Sequence, residues 1–294
     1  MTSTGLPTAF KEVTTSQPNL ELDHARAFYM AEKFSEAQAL CEELLRRQQN
    51  RADVLLLLGA CCYQLRDTHK CIHYNRQAIQ LDSNFPEAYG NMANAFKELG
   101  DLDNAITLYL KAIELNPRFV DALSNLAAAY MQKEMYAQAI DAYQRSLAIN
   151  PNMPEAQCSL GNLLKHMDDR AGAKRCYTHA IRLRPDYAIA WNSLAGACKD
   201  DGDLHNAISC YREALRLNPD MADASSNLGN ALKEAGLLDD AIRAYHQVRL
   251  TNPYCGLPVC ANGAEGRRVN TAAARENATW LREGEGRRGQ ASNQ

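Results

Sequence analysis

The stretch GNMANAFKELGDLDNAITLYLKAIELNP, Gly90–Pro117, decides the fold. Its first half places Met92, Ala93 and Phe96 at helical spacing, and Gly100-Asp101 breaks the pattern. A second apolar series, Ala105, Tyr109 and Ala112, then runs to a stop at Asn116-Pro117. Two helices joined by a tight turn follow from this pattern. Asn91 and Asn94 sit inside the first of them, although Asn is a poor helix former.

The same layout returns along the chain. Pro117, Pro151, Pro185, Pro219 and Pro253 are spaced 34 residues apart. Extended backwards, the frame gives seven units of 34 residues: 18–51, 52–85, 86–119, 120–153, 154–187, 188–221 and 222–255. Slot 8 of each unit holds only Ala or Gly: Ala25, Gly59, Ala93, Ala127, Gly161, Ala195 and Gly229. Slot 20 holds Ala in every unit but the second, where Cys71 stands. Slot 24 is Tyr in the last five units, Tyr109 to Tyr245. Small residues at slots 8 and 20 let two helices approach closely, and a lone helix pair cannot bury its own apolar face. This is the tetratricopeptide-repeat pattern. The predicted fold is an all-α, right-handed superhelical solenoid of seven helix-pair repeats, with disordered segments at 1–17 and 256–294. The first unit departs from the pattern, with His24 in the Leu slot and Gln49 in the Pro slot. The seventh lacks a capping helix, so Leu232 and Tyr245 are expected to be partly exposed and to favour self-association.

Composition excludes several classes. The formal net charge of -3 does not suit a general binder of nucleic acid or of a membrane surface. The longest apolar run, Val54–Tyr63, is too short to span a bilayer. Ten cysteines without a secretory signal indicate free thiols in a reducing compartment. His69, Cys71 and His73 share a second helix, but no further ligand accompanies them, so no metal site is expected. No phosphate-binding glycine loop or nucleophile elbow occurs, so neither a catalytic residue nor a cofactor is expected.

The asparagines recur in two slots. Asn91, Asn125 and Asn227 occupy slot 6, and Asn94, Asn162 and Asn230 occupy slot 9. At about 100° per residue, slot 6 points roughly 200° from packing slot 8. Six asparagines cost about 4 kcal/mol of helix propensity relative to alanine. A side-chain amide donates and accepts, so a row of amides can pair with a peptide backbone whatever its side chains. These six residues are the candidate groove for an extended polypeptide. The competing reading is a solvated polar face.

The stretches DVLLLLGACCYQL (53–65), YGNMANAFKELGDLDNAI (89–106), FVDALSNLAAAYM (119–131), YAIAWNSLAG (187–196) and DASSNLGNALKEAG (223–236) carry a more specific likeness. They resemble the repeat region of the nucleocytoplasmic protein O-linked N-acetylglucosamine transferases, the plant type above all. The resemblance implies a nuclear and cytoplasmic protein. It also implies a superhelix whose slot-6 asparagines hold acceptor polypeptides for a separate catalytic region that uses UDP-N-acetylglucosamine. Ser159 and Ser193 interrupt the slot-6 series here. The repeats are followed by a Gly-, Arg- and Asn-rich tail unlike that family's catalytic region, so this chain alone is expected not to transfer sugar. The alternative is a free-standing tetratricopeptide adaptor. Slot 5, where chaperone-tail adaptors carry lysine, holds none.

Overall fold

The computed structural model describes residues 20–48 and 50–251, without the side chains of 246–251. The segments expected to be disordered, 1–17 and 256–294, lie outside these residues. The described residues form fourteen helices and no strand. The first helices of the pairs are α1 (Leu20–Met30), α3 (Ala52–Gln64), α5 (Pro86–Glu98), α7 (Val120–Gln132), α9 (Pro154–His166), α11 (Ala188–Asp200) and α13 (Ala222–Glu234). The second helices are α2 (Phe34–Arg47), α4 (Thr68–Leu81), α6 (Leu102–Leu115), α8 (Tyr136–Ile149), α10 (Arg170–Leu183), α12 (Leu204–Leu217) and α14 (Leu238–Thr251). From α2 onward, the start of each helix recurs 34 residues later. The chain divides into two compact units, 1–156 and 157–294, and within each the helix pairs stack as a tetratricopeptide solenoid. No helix among the described residues is long and apolar enough to cross a membrane.

The turn between the two helices of a pair has a fixed chemistry. Slot 15 lies in the left-handed region in all seven repeats, at Glu32, Arg66, Gly100, Glu134, Asp168, Gly202 and Gly236. Only three of these are glycine, the residue that adopts this conformation without a Cβ penalty. Slot 16 then caps the second helix. The carboxylates of Asp67, Asp101, Asp169 and Asp203 accept from the backbone N–H three residues on, satisfying a donor the helix leaves open.

Packing follows the slots. Every slot-20 residue, from Ala37 to Ala241, is fully buried. Slot 24 is fully buried or nearly so, from Cys41 and Asn75 to Tyr245. Where slot 8 is glycine, the slot-24 side chain occupies the space of the missing Cβ. An added Cβ at Gly161 would lie 2.6 Å from the Tyr177 ring, and one at Gly229 would lie 2.5 Å from the Tyr245 ring. Thiols serve as small apolar groups in this core. Burial pushes the Cys71 thiol up to about 12 and the Cys62 thiol up to about 11.

The last repeat corrects one expectation. Leu232 and Tyr245 are 2% and 5% exposed. Both turn back into a cluster with Ala195, Cys198, Ile208 and Tyr211 of the preceding repeat, so neither offers a sticky end. A slot-11 leucine and a slot-24 tyrosine pack within their own pair and against the repeat before it. The self-association expected from their exposure loses that basis.

Candidate peptide-binding site

The six asparagines divide into two groups with different surroundings. In slot 9 the amide oxygen is already engaged. The Tyr177 hydroxyl donates to Asn162 Oδ1 at 2.8 Å and the Tyr245 hydroxyl to Asn230 Oδ1 at 2.7 Å. The Tyr109 hydroxyl donates to Asn94 Oδ1 in the same way. Each bond runs from slot 24 of the second helix to slot 9 of the first, past the small residue in slot 8. Burial raises the Tyr109, Tyr177 and Tyr245 hydroxyls above the ordinary tyrosine value. They stay protonated and need an acceptor. Slot 9 therefore belongs partly to the fold. Its asparagines are not a bare row of outward amides.

In slot 6 the amides are available. Asn91 and Asn227 are half-buried, and their side chains make no hydrogen bond among the described residues. Asn125 differs, because its Oδ1 accepts from Lys97 Nζ at 3.1 Å, leaving Nδ2 free to donate. Lys97 of α5 and Asn125 of α7 thus meet across adjoining first helices of the 1–156 unit, and Asn91 lies on α5. Asn162, Asn227 and Asn230 lie in the other unit. On α5 the slot-2 carboxyl of Glu87, one turn before Asn91, is half-buried and raised by that burial.

A series of lysines on the same helices was not singled out from the sequence. Lys97, Lys165, Lys199 and Lys233 all occupy slot 12, a 34-residue recurrence interrupted at Met131 in the fourth repeat. Lys165 pairs with Asp200 at 2.8 Å and Lys199 with Glu234 at 3.3 Å. In both pairs the acid is the slot-13 residue of the next repeat. These contacts tie successive first helices together on the asparagine side.

The histidine cluster does not assemble. His69 and His73 are exposed whereas Cys71 is fully buried. Among the described residues no group of three His, Cys, Asp or Glu side chains is placed to hold a metal ion.

Comparison with known proteins matches this architecture. Family models described as tetratricopeptide repeat match residues 22–82, 120–153 and 154–187, and a TPR repeat model matches 93–134 and 196–236. Over 108 residues the chain is 40% identical to the probable UDP-N-acetylglucosamine–peptide N-acetylglucosaminyltransferase SEC of Arabidopsis thaliana. That stretch is 37% of this chain and 11% of the relative. The corresponding transferase of Caenorhabditis elegans is 37% identical over 101 residues, 34% of this chain and 8% of that protein. The matched stretch thus spans about a tenth of each relative's length. Among solved structures, the APC/C hetero-tetramer Cut9–Hcn1 aligns with a TM-score of 0.64 at 19% identity, covering 81% of this chain and 47% of that one. YrrB, described as a TPR protein with an unusual peptide-binding site, aligns with a TM-score of 0.53 at 23% identity, covering 61% of this chain and 92% of that one. With the 34-residue helix-pair period and the repeat matches along both units, the chain belongs to the tetratricopeptide-repeat proteins.

Proposed function

We propose that the chain is the polypeptide-binding region of a protein O-linked N-acetylglucosamine transferase, holding extended stretches of acceptor proteins for Ser/Thr glycosylation. The observation that carries this reading is the open slot-6 amide. Among the described residues, Asn91 and Asn227 each keep both a donor and an acceptor unengaged, at a cost in helix propensity that no contact there offsets. Asn125 contributes a donor. Of the slot-9 amides Asn94, Asn162 and Asn230, whose oxygens are held by tyrosine hydroxyls, Asn94 and Asn162 add donors through Nδ2. The identity to two transferases within their repeats supports this choice of parent activity. The working compartments are the cytoplasm and nucleus, and the ligand is peptide rather than nucleic acid or membrane.

Sugar transfer itself needs groups that hold the donor diphosphate and assist the acceptor hydroxyl. In this reading they reside outside these repeats, and the chain alone binds without turning over. Two assays test it together. The purified chain with radiolabelled UDP-N-acetylglucosamine and an acceptor protein should give no labelled product. An excess of the chain added to a complete transferase should inhibit glycosylation by sequestering acceptor, and the Asn91→Ala/Asn227→Ala variant should inhibit less. Turnover by the chain alone, or equal inhibition by both forms, would overturn the proposal.

A further inference from the structure

The slot-12 lysines are not equivalent. Lys165 and Lys199 are neutralised by Asp200 and Glu234, each 35 residues further on at the last position of the next first helix. The residue 35 beyond Lys97 is Gln132, the last residue of α7, which carries no charge. Lys97 accordingly has no ion-pair partner among the described residues, and its one hydrogen bond goes to the neutral Asn125 Oδ1. The adjacent carboxylate, Glu98, is taken by Arg66 at 2.8 Å. Lys97 is also half-buried, and the burial holds its ammonium below the ordinary lysine value. A partly desolvated cation whose neighbouring carboxylate, Glu98, is shared with Arg66 and does not offset the burial is a costly arrangement. It stands beside Asn125, and Asn91 lies earlier on the same helix, where the peptide backbone is taken to run.

We propose that Lys97 receives the side-chain carboxylate of an Asp or Glu in the bound polypeptide, in the place that Asp200 and Glu234 fill for the lysines of the other unit. This deepens, and rests on, the reading of the slot-6 asparagines as the peptide-binding row. Backbone pairing by the amides is indifferent to sequence, whereas Lys97 adds a charge requirement at one position and thereby sets the register of the chain in the groove. Asn125 orients the ammonium and in turn has its own amide fixed with Nδ2 turned to the peptide. Glu87, on the same helix but nearly three turns away, disfavours an acid at the other end of α5.

The test uses the full chain and short fluorescein-labelled peptides of Ser, Thr, Pro and Ala with an amidated C-terminus. One Glu is stepped through successive positions, and each peptide is paired with its Gln counterpart. Fluorescence anisotropy should show, for one position, roughly three- to tenfold tighter binding of the Glu peptide, shrinking as salt is raised. Lys97→Gln should abolish this preference. Gln132→Glu, an exposed change that supplies the missing internal acid, should abolish it too, while binding the Gln peptide as the unaltered chain does. Equal affinities for every Glu/Gln pair that binds, or a preference that survives both variants, would overturn the Lys97 assignment while leaving the asparagine row standing. Preference for a free C-terminus over an internal Glu would likewise overturn it. If none of the peptides binds, the asparagine reading fails and this inference with it.

Discussion

Replacing Asn94 and Asn91 by alanine should change stability in opposite directions, although the two residues lie three apart on one helix. Both substitutions gain up to about 0.7 kcal/mol of helix propensity. Asn91 makes no side-chain hydrogen bond, so Asn91→Ala keeps that gain. Asn94 accepts from the hydroxyl of Tyr109, a residue with no exposed surface. Its loss leaves that hydroxyl unpaired at a cost of about 1–3 kcal/mol. The balance for Asn94→Ala is a destabilisation of about 0.5–2 kcal/mol. Urea unfolding followed by circular dichroism distinguishes the two outcomes. Tyr109→Phe completes a cycle in which Asn94→Ala, made in the Phe background, costs about 1 kcal/mol less than in the parent. Equal stabilities for Asn91→Ala and Asn94→Ala, or a cycle without coupling, would refute the division of the asparagines into a structural and a free set.

Three further outcomes are expected. Asp101→Ala removes the carboxylate that accepts from the Asn104 N–H and should cost about 1 kcal/mol in urea titrations. Glu134→Gly relieves a left-handed non-glycine residue in an exposed turn and should raise the unfolding midpoint by the equivalent of about 0.5–1 kcal/mol. Burial pushes the Asp53 carboxyl up, but the Arg51 guanidinium and the Val54 N–H outweigh it and hold the carboxyl below its usual value. Its contribution is therefore fully present above the unfolded value near 3.9 and is lost as pH falls through the lower folded value. Asp53→Asn should flatten the acid limb of the stability curve in that window and leave its shape near neutrality unchanged.

Much of the fold was legible because one constraint repeats. Prolines, small residues and tyrosines at fixed slots leave a single way to pair and stack the helices, and α2 to α14 begin in the predicted register. The slot-9 asparagines were misjudged for a geometric reason. Slot 9 follows slot 8 by only about 100°, close enough to the packing seam for a tyrosine hydroxyl to cross it. The signal was present, since Asn94, Asn162 and Asn230 each stand fifteen residues before a slot-24 tyrosine. A wheel drawn for one helix does not contain the partner helix and could not supply that link. Leu232 and Tyr245 were misplaced similarly, because an apolar slot does not say whether it faces the repeat before or the one after. The slot-12 lysines were passed over because a lysine near a helix end reads as ordinary solvation until the acid of the next repeat is placed beside it.

The central claim is that the open slot-6 amides grip a polypeptide backbone. It is tested most directly by the affinity of an extended Ser/Thr-rich peptide, labelled with fluorescein, for the full chain and for its Asn91→Ala/Asn227→Ala variant at one salt concentration. The account predicts that the variant, at least as stable as its parent, binds roughly fivefold or more weakly, as expected when each unit loses about 1 kcal/mol of hydrogen bonding at its open amide. Unchanged affinity in a variant of unchanged or raised stability would contradict it and return the asparagines to a solvated face.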